Sequence, residues 1–415
     1  MLEYWIWFAQ LRKPSDRSKL LLMQHFHDPE EIYYAEAEAF RNLEGIDGDL
    51  SELLSEKDLS EARSILEECE KKGLGILTFE DKEYPQRLKH IADPPMVLYY
   101  KGKLPDLDHN PLIGVVGTRK ASAYGLTTAR KMGYQIAKCG GIVVSGMAHG
   151  IDGMAMDGAL LADCPTVGVL GCGADLIYPL SNRKLFADVE RYGCILSEFA
   201  PGTPPHRWNF PKRNRIISGM SNGVLVVEAP EKSGALITAG QALEQGRDVF
   251  VVPGNLDQEG FVGSNRLLRQ GAVFVSCGWD VVGEYEALYP DQVRNDTEPM
   301  PGKMPEMPIN TSSKETLKVA QKPKQPDKKP DVQKKLDKKA IDKDQSGAYS
   351  DVNTVLSRLN RDEQSVVQAM LSGESLVDEV IAQSGLPARK VMAILTMLEI
   401  KGVIRRLPGK RVALK

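Results

Sequence analysis

The sequence lacks every cysteine arrangement that marks a zinc site or a disulfide framework. Its cysteines are widely scattered and form no Cys-x-x-Cys pair: Cys69, Cys139, Cys164, Cys172, Cys194 and Cys277. This pattern indicates a reducing compartment, in which most of them serve as small buried apolar residues. Asp152 and Asp157 lie five residues apart and off one helix face. We therefore expect no bound metal and no cofactor.

Long apolar runs are also missing. No stretch reaches the length that spans a bilayer, and residues 1–10 show no basic region followed by a long apolar segment. These absences predict a soluble cytoplasmic protein without membrane contact. The net charge of −3 gives no global basicity, so any nucleic-acid site must be a local patch.

Catalytic constellations are equally scarce. The six histidines are dispersed, and His149, beside a glycine loop, is either a base or a fixed loop residue. Ser145 has no evident base at a defined spacing. We predict no catalytic residues and a non-enzymatic function.

The chain of 415 residues is long enough for two or three domains. Residues 1–80 predict a small helical domain, with helices near 20–26, 29–40 and 59–72. The turn Leu43-Glu-Gly-Ile-Asp-Gly fits either a DNA-binding helix-hairpin-helix or a plain interhelical turn. This domain is therefore read as SAM-like or helix-hairpin-helix-like.

Residues 81–290 predict an α/β domain. Val- and Ile-rich runs indicate buried strands at 112–116, 142–144, 166–170, 194–197, 224–227, 249–252 and 273–275. Helical patterns separate most of them, at 126–138, 151–162, 182–192, 235–245 and 264–270. This alternation predicts an extended Rossmann-like, doubly wound, mostly parallel sheet.

Two further segments follow. Residues 291–350 predict a flexible linker, since 311–343 contain eleven Lys, five acids, three Pro and no aromatic. Residues 351–415 predict a winged helix, with helices at 352–359, 361–371, 376–384 and 387–401 and two strands around Pro408-Gly409. Cations on the wing fit either DNA or protein binding: Arg405, Arg406, Lys410 and Arg411.

Loops whose residues are suited to binding an anion follow the predicted strands. Gly117-Thr-Arg comes after the first strand, and Ser145-Gly-Met-Ala-His-Gly follows the second and leads into a helix. Because the carboxyl ends of parallel strands share one edge, these loops converge there. They predict a phosphate-binding site that includes Ser145 and Gly146.

A basic stretch rich in aromatics joins this edge after the fourth strand. Residues 206–219 contain Trp208, Phe210 and four cations, and no acid occurs between Glu198 and Glu228. Cations interleaved with aromatic rings suit single-stranded nucleic acid. Trp208 fits either a stacking platform or the core, and a cation such as Arg213 or Arg215 could instead pair with Glu198 or Glu228.

Six motifs in this order resemble the DNA-processing protein A (DprA, also called Smf) family. They are Val116-Gly-Thr-Arg, Ser145-Gly-Met-Ala-His-Gly-Ile-Asp, Tyr178-Pro, Phe210-Pro-Lys-Arg-Asn-Arg-Ile-Ile-Ser-Gly, Glu228-Ala with the later Ser-Gly-Ala-Leu-Ile-Thr-Ala, and Val252-Pro-Gly. The resemblance covers residues 80–290, with compatible helical and winged-helix domains on either side.

The resemblance implies a homodimer that binds single-stranded DNA without cleaving it, protects incoming DNA during natural transformation and loads the RecA recombinase. It implies DNA contacts at Gly117, Thr118, Arg119, Phe210, Lys212, Arg213, Asn214 and Arg215. Two alternatives stay open. One is a nucleoside-monophosphate phosphoribohydrolase-like enzyme with Glu244 as its catalytic residue, although its Pro-Gly-Gly-x-Gly-Thr loop is missing. The other is a transcription regulator that binds duplex DNA through the winged helix.

Overall fold

The computed structural model of the chain describes residues 1–40, 43, 57–296, 298–301, 361–370, 375–400, 403–407 and 411–414. These residues belong to two compact units, Met1–Pro308 and Ile309–Lys415.

Short helices begin the first unit. They are α1 (Leu2–Gln10), α2 (Asp16–His25), α3 (Pro29–Tyr34), α4 (Ala37–Phe40) and α5 (Ser60–Lys72). Helix α1 was not predicted, because its apolar run from Tyr4 to Phe8 has no amphipathic period and is buried throughout. The predicted hairpin turn at 43–48 lies outside the described residues apart from Leu43.

A nine-stranded sheet forms the body of this unit. Its strands are β1 (Gly75–Thr78), β2 (Val97–Gly102), β3 (Leu112–Val116), β4 (Ile142–Ser145), β5 (Thr166–Val169), β6 (Cys194–Ser197), β7 (Gly223–Val226), β8 (Asp248–Val251) and β9 (Val273–Phe274). The helices among them are α6 (Gln86–Lys89), α7 (Ala123–Lys138), α8 (Ile151–Leu161), α9 (Arg183–Tyr192), α10 (Asn209–Met220), α11 (Gly234–Glu244), α12 (Val262–Arg269) and α13 (Trp279–Val282).

The strand order β1-β2-β6-β5-β4-β3-β7-β8-β9 confirms the doubly wound prediction. Strands β3 to β9 are parallel, and β3 lies between β4 and β7, with Ile113 opposite both Val143 and Gly223. Strands β1 and β2 extend the sheet in the antiparallel sense. The sequence shows only an extended connector there, because Pro85, Pro94 and Pro95 interrupt the strand pattern.

Both faces of the sheet are covered by helices. Along β3, Ile113 and Val115 face α7 and α8, whereas Leu112 and Val116 face α10 and α11. This alternation follows from the two-residue period of a strand. Every residue of β3 is buried, and the strand order reverses between β3 and β7.

The second unit contains α14 (Arg361–Gln368), β10 (Ser375–Leu376), α15 (Val377–Ser384), α16 (Ala388–Ile400), β11 (Ile404–Leu407) and β12 (Arg411–Leu414). The wing strands β11 and β12 pair as predicted, and the short strand β10 adds a third to this sheet. The helix predicted at 352–359 and the turn at 408–409 lie outside the described residues.

Candidate nucleic-acid interface

A cleft of about 370 Å³ opens at the carboxyl ends of β3 and β7. One wall is the loop from Gly117 to Lys120 that follows β3. The opposite wall comes from α10 and from residues 230–238 at the start of α11. The strand order reverses between β3 and β7, which is where open parallel sheets bind their ligands.

The exposed charged residues that line this cleft are all cations: Arg119, Lys120 and Lys232. None of the three forms an ion pair with a carboxylate in the described part of the chain. Two other charged residues line the cleft, Asp152 and Arg213, and both are buried. The accessible surface of the cleft is therefore positive.

An aromatic ring lies beside the cations. Phe210 is half-buried in the first turn of α10, and the Arg119 guanidinium carbon lies 5.1 Å from its ring centroid. The Tyr178 ring lies 5.7 Å from Phe210 on another side. The cation–π contact holds the Arg119 fork at the mouth of the cleft, next to a flat apolar surface.

The Asp152 carboxylate is hydrogen-bonded to the loops that were predicted to bind an anion. Its carboxylate accepts a hydrogen bond of 3.2 Å from the Gly146 amide and another from the Gly117 amide. Burial raises the pKa of Asp152, although nearby Arg213 and these amides oppose the shift. Burial also lowers the pKa of Arg213 to about 10. These two amides are thus bonded to the protein's own carboxylate and are not free to bind a phosphate.

Ser145 and Gly146 also have internal contacts. The Ser145 hydroxyl is buried and donates a 2.6 Å hydrogen bond to the Val115 carbonyl oxygen. A Cβ at Gly146 would lie 2.5 Å from the guanidinium nitrogens of Arg213. Arg213 itself donates to the Val169 carbonyl oxygen. These residues join the ends of β3, β4 and β5 and position the loops that form the cleft.

Arg215 lies outside the cleft, within a group of carboxylates. Its guanidinium nitrogens lie 2.8 Å from Glu198 and 2.9 Å from Asp93, and its side chain is only 4% exposed. The sequence resemblance implies a DNA contact here. The structure instead gives Arg215 a buried ion-pair network, as the alternative pairing with Glu198 anticipated.

Lys212 also points away from the residues that line the cleft. Its ammonium lies 3.2 Å from Asp16 at the start of α2 and 3.4 Å from Glu198, and it is 47% exposed. Burial favours the neutral form of Asp16, but the cations around it, Lys212 among them, outweigh burial and lower its pKa. The predicted DNA contact of Lys212 therefore competes with an ion pair to the N-terminal helices.

Helix α10 begins at Asn209, inside the basic stretch 206–219. Pro211 obscures this start in the sequence, but a proline in the first helical turn loses no intrahelical hydrogen bond. Trp208 precedes the helix, is exposed and stacks on His206. The structure therefore excludes the core position that the sequence left open for this residue.

Two family models match the chain. Residues 75–286 match the model described as DNA recombination-mediator protein A, and residues 354–410 match the DprA winged helix domain. The Smf protein of Synechocystis sp. is 33% identical over 415 residues, which cover 98% of this chain and 97% of that protein. The chain belongs to the DprA/Smf family. Membership gives it a DNA-processing, recombination-mediator role.

Two other DprA proteins support this assignment. The Bacillus subtilis protein is 43% identical over 220 residues, 53% of this chain and 74% of that protein. The crystal structure of Streptococcus pneumoniae DprA matches with a TM-score of 0.56 at 31% identity, over 68% of this chain and 98% of that one. Together with the winged-helix match, this likeness confirms the predicted fold class.

The structure divides the site residues predicted from the DprA motifs into two groups. Six line the cleft, and one of them, Arg213, is buried there: Gly117, Thr118, Arg119, Phe210, Arg213 and Asn214. The others are buried or engaged elsewhere: Ser145, Gly146, Lys212 and Arg215. Lys120 and Lys232 line the cleft but were not predicted, although each is a cation in a glycine-containing loop after a strand, which is the signal that could have identified them.

In the described ranges, no group of His, Cys, Asp and Glu side chains could hold a metal ion. No helix within these ranges has the length and apolar character needed to cross a bilayer.

Proposed function

We propose that this DprA/Smf-family chain binds single-stranded DNA in the cleft between Arg119 and Phe210 and does not cleave it. The observation that carries the proposal is the Arg119 guanidinium 5.1 Å from the Phe210 ring, in a cleft whose exposed charges are all positive. A phosphate suits the guanidinium fork, and an unpaired base can stack on the ring. A paired base inside a duplex offers no free face to Phe210.

The test compares labelled single-stranded and duplex oligonucleotides of the same sequence in a gel-shift titration of the full chain. We expect retention of the single strand at protein concentrations that leave the duplex free. Affinity should fall with salt, because phosphate contacts release counterions. Equal or stronger duplex binding would contradict the proposal and favour the winged helix as the DNA-binding element.

We further propose that the bound strand is incoming DNA during natural transformation and that the protein loads RecA onto it. Support comes from the recombination-mediator description of the family model that matches residues 75–286. The same oligonucleotide, first coated with a single-strand-binding protein, provides the test. Adding the chain should accelerate RecA assembly on the coated strand, and Arg119→Ala should lose this effect.

We also propose a cytoplasmic homodimer. Among the described strands β9 forms one edge of the nine-stranded sheet, where Val273 and Phe274 are exposed and could pair with the same edge of a second copy. The six cysteines are unpaired, as suits a reducing compartment. Light scattering of the full chain in solution should give twice the monomer mass.

The geometry does not favour the phosphoribohydrolase alternative. The last residue of helix α11 that lines the cleft is Thr238, and Glu244 at the end of the helix lies about 9 Å further along its axis. The one carboxylate that lines the cleft is Asp152, which is buried. No acid is therefore placed to act on a nucleotide bound there.

The contact between Lys212 and Asp16 leads to a prediction about the N-terminal helices. Asp16→Asn should strengthen single-strand binding roughly 1.5- to 5-fold, because it removes one of the two carboxylates that hold the half-exposed Lys212 ammonium away from a phosphate. Fluorescence anisotropy with a labelled oligonucleotide measures the change. The double variant Asp16→Asn with Lys212→Ala is the control and should show no gain. A gain that survives in the double variant would mean that Asp16 acts through another residue.

A further inference from the structure

Trp208 differs from the other tryptophans of the chain in its exposure. Its side chain is 65% exposed, whereas Trp5 and Trp7 are buried in α1 and Trp279 is half-buried. An exposed indole offers a large, flat apolar face on which a ligand ring can stack. Neither the fold nor the cleft described above uses this ring.

The ring is held in a fixed orientation. The His206 ring stacks on it with centroids 4.6 Å apart and planes 12° apart. The His206 amide donates to the Pro204 carbonyl oxygen, and the Asn209 amide donates to the His206 carbonyl oxygen. Asn209 is buried and donates from its side chain to the Gly171 carbonyl oxygen. One face of the indole is thus covered by an imidazole, and the opposite face is open to solvent.

The position of Trp208 connects it to the cleft. It caps α10 and precedes Phe210 by two residues, so the two Cα atoms lie within about 7.6 Å. Arg207 is exposed beside it, and no acid occurs from residue 199 to residue 227. A single-stranded DNA that extends from the cleft past Phe210 therefore reaches a cation, Arg207, and a flat aromatic face, Trp208. This is the combination that binds single strands without sequence preference.

We propose that the open face of Trp208 stacks on a second nucleobase of the strand held in the cleft, with Arg207 on an adjoining phosphate. This inference rests on the proposed single-strand binding and extends its footprint beyond Phe210. His206 acts as a positioning residue that holds the indole. If the stacking of one base on Trp208 is lost, we expect the affinity to fall roughly 5- to 150-fold.

Tryptophan fluorescence provides a direct readout, because Trp208 is the one strongly exposed indole among the four tryptophans. Saturating oligo(dT) should quench the emission of the wild-type full chain. Trp208→Phe should keep most of the affinity, since a smaller ring still stacks, but should lose the quenching. Trp208→Ala should lose both, and its affinity loss should appear only with oligonucleotides long enough to extend past Phe210.

Tyr192→Ala is a matched control. Tyr192 is also an exposed aromatic with an arginine against it, at 5.2 Å from Arg191. It ends α9 just before β6 begins, so it lies at the amino edge of the sheet, opposite the cleft. This variant should bind oligo(dT) as the wild type does.

The outcomes separate this inference from the proposed function. If the wild type binds oligo(dT) but shows no quenching, and Trp208→Ala binds as tightly at every length, the second stacking site is refuted. In that case Arg119→Ala should still weaken binding, and the cleft assignment stands. If the wild type does not bind oligo(dT) at all, both proposals fail.

Discussion

We expect Arg119→Ala to lower the affinity for single-stranded DNA by roughly 10- to 100-fold. This is the loss expected when a hydrogen bond to a charged group is removed. The guanidinium is exposed at the cleft, rests against Phe210 and forms no ion pair with a described carboxylate. It therefore needs no release from another partner before it binds a phosphate. The loss of one phosphate contact should also reduce the slope of log affinity against log salt by about 0.7.

Fluorescence anisotropy at several salt concentrations measures both quantities. Arg119→Lys should fall between the wild type and Arg119→Ala, because an ammonium keeps the charge but not the planar fork. Arg191→Ala removes an exposed arginine from the opposite edge of the sheet and should leave affinity and slope unchanged. If a folded Arg119→Ala variant keeps the wild-type affinity and the wild-type salt dependence, the cleft is not part of the DNA-binding surface.

Arg215→Ala should destabilise the protein by about 3 to 5 kcal/mol, the range for breaking a buried ion pair from one side. The substitution leaves Glu198 buried, with the half-exposed Lys212 as its remaining cation. For a unit of this size we expect the melting temperature to fall by roughly 6 to 20 °C. Thermal unfolding of the full chain, followed by circular dichroism, measures the shift.

Two control variants test whether the loss of stability comes from the buried ion pair or simply from removing a positive charge. Lys212→Ala removes a half-exposed partner of the same carboxylates and should cost less than about 1 kcal/mol. Arg215→Met combined with Glu198→Gln removes both buried charges and should recover part of the stability. If Arg215→Ala melts as the wild type does but binds DNA weakly, Arg215 is a DNA contact after all.

The repeating part of the fold could be predicted from the sequence. Strands β3 to β9 are short Val- and Ile-rich runs bounded by Gly, Pro or Asn, and most alternate with amphipathic helices. This is enough to predict a parallel sheet and its carboxyl edge. Strands β1 and β2 and helix α1 were not predicted, because prolines or a continuous apolar run conceal their period.

The structure brings only part of the predicted site residues together. Residues after β3 and in α10 do converge, as their positions after strands require. However, the partners that engage Arg215 and Lys212 include Asp16 and Asp93, which lie far earlier in the chain. No local pattern reveals such pairs. Asp152 likewise reads as an ordinary first-turn acid in the sequence, and only the folded loops show it accepting their amides.

The place of β3 between β4 and β7 has a consequence for synthesis on the ribosome. Strand β7 begins about 100 residues after β3 ends, so at 5–20 residues per second it emerges roughly 5 to 20 seconds later. Throughout this interval β3, with Leu112 and Ile113 among its residues, has one unpaired edge, which can aggregate with other nascent chains. Residues 230–238, which form part of the cleft wall opposite Arg119, emerge only after β7, so a nascent chain cannot complete the cleft before β7 is available to pair with β3.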